Sequence, residues 1–255
     1  MPRADFLDLP ARSRKPRTAG LTHVLDKGLP LDEVRALLGV SEPYVDVWKL
    51  GWGVAYVDPA VAPKVALLGE ARVLACTGGT LLELAWLQGR AIDCLDWAAD
   101  CGFPCVEVSN GTVGMPAEDK RALVAKAADR FTVLAEVGSK DPGAPVSAVD
   151  WARQARADLD AGATWVVTEG REGGQVGLYE PDGRVRGELV GALVKAVGVD
   201  RLIFEAPRRE QQVWLLREFG PEVSLGNIPA GEVLGIETLR LGLRADTLFG
   251  AERPW

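Results

Sequence analysis

Short apolar runs recur along the chain, and each closes on polar residues or glycine. Eight of them read as strand candidates: 20–28 (GLTHVLDKG), 44–53 (YVDVWKLGWG), 71–80 (ARVLACTGGT), 104–112 (PCVEVSNGT), 131–141 (FTVLAEVGSKD), 163–172 (ATWVVTEGRE), 201–209 (RLIFEAPRR) and 222–231 (EVSLGNIPAG). Between them lie amphipathic patterns of helical period at 30–40, 61–70, 81–102, 116–130, 147–162, 187–198, 210–220 and 235–250. Several of these open on Pro or an acidic residue and close on Gly, as helix ends do. LDAGAT and ADCGFP place a Gly at helix-to-strand turns. Strands alternating with helices imply parallel pairing through right-handed crossovers. Eight such units in about 230 residues match an α/β fold of the (β/α)8 barrel type, the TIM barrel. A doubly wound open sheet is the alternative, but no G-x-G-x-x-G follows the first run. No linker or low-complexity segment interrupts the pattern, so residues 20–255 read as one barrel domain behind an arm at 1–19.

Composition narrows the partners. The 255 residues are 47% hydrophobic and 25% charged, as in an ordinary globular chain with ample core. A net charge of −7 argues against nucleic acid or an anionic membrane surface, which reward clustered Lys and Arg. The one basic run, Arg12, Arg14, Lys15 and Arg17, reads as an exposed N-terminal arm. No apolar stretch approaches a membrane span and the N-terminus has no signal-like core, so a cytoplasmic protein is expected. Cys76, Cys94, Cys101 and Cys105 form no Cys-x-x-Cys pair, and the single His23 completes no zinc set. They read as buried free thiols in a reducing compartment. With one His, the chemistry falls to Lys, Asp, Glu and Arg.

In a parallel barrel the loops after the strands converge on one mouth. That mouth would receive Asp26, Lys27, Lys49, Glu107, Asn110, Glu136, Lys140, Glu169, Arg171, Glu205 and Asn227. Some of these charges are expected to compensate one another, because buried charges need partners. Carboxylates with few His ligands suit a hard cation such as Mg²⁺. Lysines beside them suit an anionic substrate or a proton donor. Backbone amides of Gly78, Gly79 and Thr80 in TGGT, and those around Asn227 in GNIPAG, are candidate phosphate cradles, although glycines there also serve turns.

GLTHVLDKGLP, WKLGWG, GGTLLE, EVSNGT, EVGSKD, EGREGG, IFEAP, GNIP and ETLRLGLRADT, in that order from Gly20 to Thr247, resemble the phosphosulfolactate synthase family. The resemblance implies a (β/α)8 barrel, Mg²⁺, and a lyase-type addition of sulfite to C3 of phosphoenolpyruvate. The product would be 2-phospho-3-sulfolactate, on one route to coenzyme M. It also implies a homo-oligomer, a homotrimer. Lys140 matches the position of the acid that protonates C2. Glu136, Glu169 and Glu205, with Asp26 and Glu107 next, are the implied metal ligands or their supports. Lys27, Lys49 and Arg171 would neutralise the anions, and Gly78, Gly79, Thr80, Asn110 and Asn227 would contact substrate.

The chain departs from archaeal members by Cys76-Thr77 before Gly78-Gly79-Thr80, by Asn110 in place of Asp, and by Ser139-Lys140 in place of a Lys pair. EVSNGT and EVGSKD look more like the bacterial branch, which leaves the nucleophile open. The competing expectations are a related addition to phosphoenolpyruvate, a Schiff-base aldolase using Lys49 or Lys140, and a non-catalytic protein of the heat-stress-associated type.

Overall fold

The computed structural model describes residues 6–248, so residues 1–5 of the expected arm and 249–255 of the expected barrel domain lie outside the described residues. All eight runs form strands: β1 (Thr22–Asp26), β2 (Val47–Leu50), β3 (Leu74–Thr77), β4 (Cys105–Val108), β5 (Thr132–Val137), β6 (Trp165–Thr168), β7 (Leu202–Glu205) and β8 (Ser224–Pro229). Each pairs in parallel with the next, and β8 returns to β1 to close the barrel. The helices are α1 (Leu31–Ser41), α2 (Val54–Val57), α3 (Val61–Glu70), α4 (Gly79–Leu87), α5 (Ala91–Asp100), α6 (Ala117–Ala128), α7 (Ala148–Asp160), α8 (Gly187–Val197), α9 (Arg209–Phe219) and α10 (Val233–Arg240). None of the described helices is long and apolar enough to cross a membrane.

The pattern at 81–102 is two helices, not one. Gly89 takes φ +70°, a left-handed conformation that ends α4 before α5 begins. Likewise α10 stops at Arg240, short of residue 250, with Gly242 at φ +68° just beyond it.

Strand side chains alternate between two environments. Outward residues such as Val24, Trp48, Val106 and Val133 pack under α1 and α3–α6, while Val166, Leu202, Phe204 and Leu225 pack under α7–α10. Inward, Leu21, Val47, Cys76, Cys105, Leu134, Trp165, Val167 and Ile203 form a separate apolar plug. Two residues further along β2, β4, β5 and β7, and just past the end of β6, the same inward parity gives Lys49, Glu107, Glu136, Glu205 and Glu169. The charged ring therefore stands on an apolar floor.

Of the basic run only Arg14 is exposed as expected; Arg12, Lys15 and Arg17 are packed against the barrel. Arg12 pairs with Glu222 at 2.7 Å and Glu237 at 3.1 Å, and Arg17 pairs with Asp46 at 2.9 Å. Lys15 donates to the carbonyls of Glu42 and Ala71, and the Trp165 indole N–H donates to the Thr18 carbonyl. Apart from Glu237 on α10, these partners lie before or at the start of strands, so the segment closes the barrel at the end opposite the mouth. All four cysteines are free; Cys76 and Cys105 are buried, but Cys94 and Cys101 are only half-buried, against expectation.

Candidate active site

At the C-terminal ends of the strands lies a cavity of about 200 Å³ lined by Lys49, Gly78, Gly79, Thr80, Glu107, Glu136, Lys140, Glu169, Arg171, Glu205 and Asn227, together with Leu25, Gly51, Trp52, Thr112 and Glu172. Closure of the barrel brings together residues that are up to 202 positions apart, from Leu25 to Asn227.

Two lysines organise the carboxylates. The Lys49 Nζ donates to Glu107 Oε2 at 3.0 Å and Glu205 Oε1 at 3.1 Å. Lys140 Nζ donates to Glu136 Oε1 at 2.5 Å and lies 3.4 Å from Glu169 Oε2. Burial by itself would lower both amines, but the surrounding carboxylates outweigh it and raise both pKa values, so each stays an ammonium. Burial raises Glu107, with repulsion from Glu136 and Glu205 adding to it against the pull of Lys49. Glu136 moves the other way: burial opposes its ionisation, but Lys140 and Lys49 prevail and lower it. Glu169 is raised well above the ordinary carboxylate range, by burial first and then by Glu136 and Glu205.

Backbone donors complete the set. Glu205 Oε2 accepts from the N–H groups of Gly170 and Arg171, and Glu169 Oε1 accepts from Arg171. Arg171 and Asn227 both hold left-handed backbone, at φ +53° and +54°, as does Trp52 at the rim with φ +51°. Such conformations are strained for non-glycine residues and cluster at working sites. The Asn227 side-chain Oδ1 is buried without a partner, while its N–H donates to Nδ1 of His23 below.

Three expected site residues fall elsewhere. Asp26 follows Leu25 on β1, and the alternation turns it outward; it accepts from Trp48 and from Lys64 of α3 and caps the Gly28 and Leu29 amides. It ties the strand to the helix layer and does not line the mouth. Asn110 donates to the Met115 carbonyl within its own loop. Lys27 lies over the Trp52 ring, 5.8 Å from its centre, and lines an adjoining cavity that shares Leu25, Glu172 and Asn227 with the mouth.

The TGGT turn is there for close approach. The Gly79 N–H is taken by Glu107 at 2.9 Å, and a Cβ on Gly78 would stand 2.7 Å from the Trp52 backbone nitrogen. Gly79 therefore supports a carboxylate and has no free amide for a phosphate. Glu83, Trp52 and Thr112 lie within the stretches GGTLLE, WKLGWG and EVSNGT, but nothing local in the sequence assigns them a role at the site. Glu83 is one acidic position on α4, and its place beside Lys140 depends on the fold.

Among the described residues no three acidic, His or Cys side chains are arranged as a ready metal cage. Mg²⁺ needs less, since it commonly takes one or two carboxylates and completes its shell with water and substrate oxygens. Glu169 Oε2, buried without a hydrogen-bond partner and facing the same Lys140 amine as Glu136, fits that need in donor chemistry.

Residues 10–246 match the family model for (2R)-phospho-3-sulfolactate synthase (ComA). The chain is 43% identical over 250 residues to a phosphosulfolactate synthase from Methanothermobacter thermautotrophicus, covering 96% of each chain. It is 37% identical over 249 residues to a phosphosulfolactate synthase from Bacillus subtilis, covering 96% of this chain and 99% of the relative. Among solved structures it is similar to a 3-hexulose-6-phosphate synthase, with a TM-score of 0.57 at 17% identity, over 86% of this chain and 98% of that one. That last likeness concerns the fold alone.

Proposed function

The chain belongs to the phosphosulfolactate synthase family, and on that premise we propose that it adds sulfite to phosphoenolpyruvate, giving 2-phospho-3-sulfolactate. The observation that carries the reading is the Lys140 ammonium between Glu136 and Glu169 at the mouth of the barrel. Sulfite is itself a strong sulfur nucleophile, and the mouth offers no Ser-His or Cys-His pair because the sole histidine is buried below it.

In this reading the sulfite sulfur attacks C3 and a C–S bond forms. The former π pair moves towards C2 and the substrate carboxylate. Lys140 Nζ then gives its proton to C2 and recovers one from solvent, so that substrate, sulfite and one proton balance the product. The raised pKa keeps that proton in place until a strongly basic carbon appears. Lys49 and Arg171 offset the charge of the two anions, and Glu205 fixes the Arg171 backbone. Glu136 and Glu169 would hold Mg²⁺, which when bound stabilises the charge developing on the substrate carboxylate. The implied assembly is a homotrimer. The aldolase alternative requires a neutral amine, whereas both mouth lysines are held charged by carboxylates.

Incubation with phosphoenolpyruvate, sulfite and Mg²⁺ is expected to yield a sulfonate product detectable by mass spectrometry. Lys140→Ala is expected to lower kcat on the order of 100-fold or more while phosphoenolpyruvate still binds. Turnover near that of the wild type in this variant would remove Lys140 from the mechanism.

A further inference from the structure

Lys140 has a precise task on an unpromising support. It sits near the start of the β5–α7 connection, residues 138–147, which contains Gly138, Gly143 and two prolines and has no regular secondary structure. Among the described residues, this connection makes one backbone hydrogen bond to another loop, from Lys140 N–H to the Gly111 carbonyl at 3.0 Å. The contact is close enough that a Cβ on Gly111 would stand 3.0 Å from the Gly138 carbonyl oxygen. What holds Lys140 is thus the β4–α6 loop, and that loop needs an anchor of its own.

The anchor is a side chain outside the mouth. Glu83 on α4 is fully buried. Its Oε2 accepts from the backbone N–H of Thr112 at 2.7 Å and of Val113 at 2.8 Å, and its Oε1 accepts from Ser109 Oγ at 2.5 Å. The same Oε1 lies 3.7 Å from Lys140 Nζ, on top of the contacts that amine makes with Glu136 and Glu169. One carboxylate therefore grips the loop on either side of Gly111 and also faces the amine that the loop positions.

We propose that Glu83 is the positioning residue for Lys140: it latches residues 109–113 to α4 and so fixes both the backbone and the ammonium of the proton donor. The role in catalysis rests on the reading of Lys140 as the acid, while the latch rests on the hydrogen bonds alone. Thr112 lines the mouth, so the same latch also sets one wall of the site.

Glu83→Gln tests this. The substitution keeps the volume, but an amide nitrogen at either terminal position cannot accept the bonds that carboxylate oxygen received. In turnover of phosphoenolpyruvate with sulfite and Mg²⁺, kcat is expected to fall on the order of 10- to 100-fold with KM within about threefold, since a misplaced general acid forfeits part of its usual contribution. The D2O solvent isotope effect on kcat is expected to rise as C2 protonation becomes limiting, a change that a fold defect alone would not bring. Amide hydrogen exchange is expected to quicken at Thr112, Val113 and Lys140. An unchanged kcat overturns the proposal, as does a loss confined to KM. If the wild-type chain does not turn over this pair, the functional reading fails and exchange decides the latch: faster exchange in the variant supports it and unchanged exchange overturns it. Should Glu83→Gln not fold, Ser109→Ala removes one donor and leaves the carboxylate, and the same readouts apply with smaller losses expected.

Discussion

His23 is the only histidine, and it is buried inside the barrel beneath the charged ring. Burial, with Lys49 adding to it, drives its pKa well below the ordinary 6.5. Its Nδ1 accepts from the Asn227 amide, which places the proton on Nε2 and leaves that atom without a partner. Below pH 6.5 the unfolded chain takes up a proton at this residue that the folded chain refuses. The unfolded state then binds more protons, and stability falls as pH falls, by up to about 1.4 kcal/mol per pH unit. Glu169 works in the opposite sense: its raised pKa means that the folded form holds a proton the unfolded form releases, so its contribution is lost as pH rises. Denaturant titrations of the metal-free protein between about pH 5 and pH 7 are therefore expected to show a shallower decline on acidification for His23→Gln than for the wild type. Equal slopes would mean that His23 is protonated in the folded state.

At the scale of elements, two ties hold the barrel to what surrounds it. Asp26 and Lys64 join β1 to α3, with Asp58 on the far side of the same amine at 2.6 Å. The N-terminal segment joins both sides of the barrel floor. Arg12 is the centre of that closure, because it pairs with Glu222 before β8 and Glu237 on α10 while donating to the Gly20 carbonyl. Removing it leaves Glu237 buried with Arg240 as its remaining cation at 4.0 Å. Arg12→Ala is expected to cost about 2–4 kcal/mol, somewhat below the loss from a fully buried pair because Glu222 is partly exposed. For a chain of this size that lowers Tm by roughly 5–15 °C. The check is calorimetric unfolding of the variant, and a change under about 1 °C would show that the segment rests on the barrel without bracing it.

For the molecule as a whole, the decisive event is closure. Glu107, Glu136, Glu169 and Glu205 lie on or just past the ends of four consecutive strands and face one another across a space that Lys49, from β2, bridges to Glu107 and Glu205. Buried carboxylates at such density repel, and a cation among them is a condition for the closed barrel as well as for chemistry. Lys49→Met is expected to destabilise the metal-free protein by about 3–5 kcal/mol, with an unchanged denaturant m-value because the buried surface stays the same. A wild-type midpoint in urea would show that the carboxylates relieve their repulsion by taking up protons.

The sequence alone determined the eight strands, most of the helices and therefore the barrel, because burial on both faces of a strand and on one face of a helix writes a period directly into the residue types. It also determined the strand-end carboxylates and lysines of the mouth, since the topology sends every strand's C-terminal end to the same place. Asp26 shows where that reasoning ran short: the alternation that turns Lys49 and Glu205 inward turns Asp26 towards Lys64, and position near a strand end does not reveal side-chain parity unless the inward set is already known. Only the tertiary structure decided which carboxylates share a lysine, that Gly79 spends its amide on Glu107, that the basic segment closes the barrel floor, and that Glu83 reaches the loop beside Lys140. Each depends on distances between segments remote in the chain, and those are set by packing, which no local pattern of residues records.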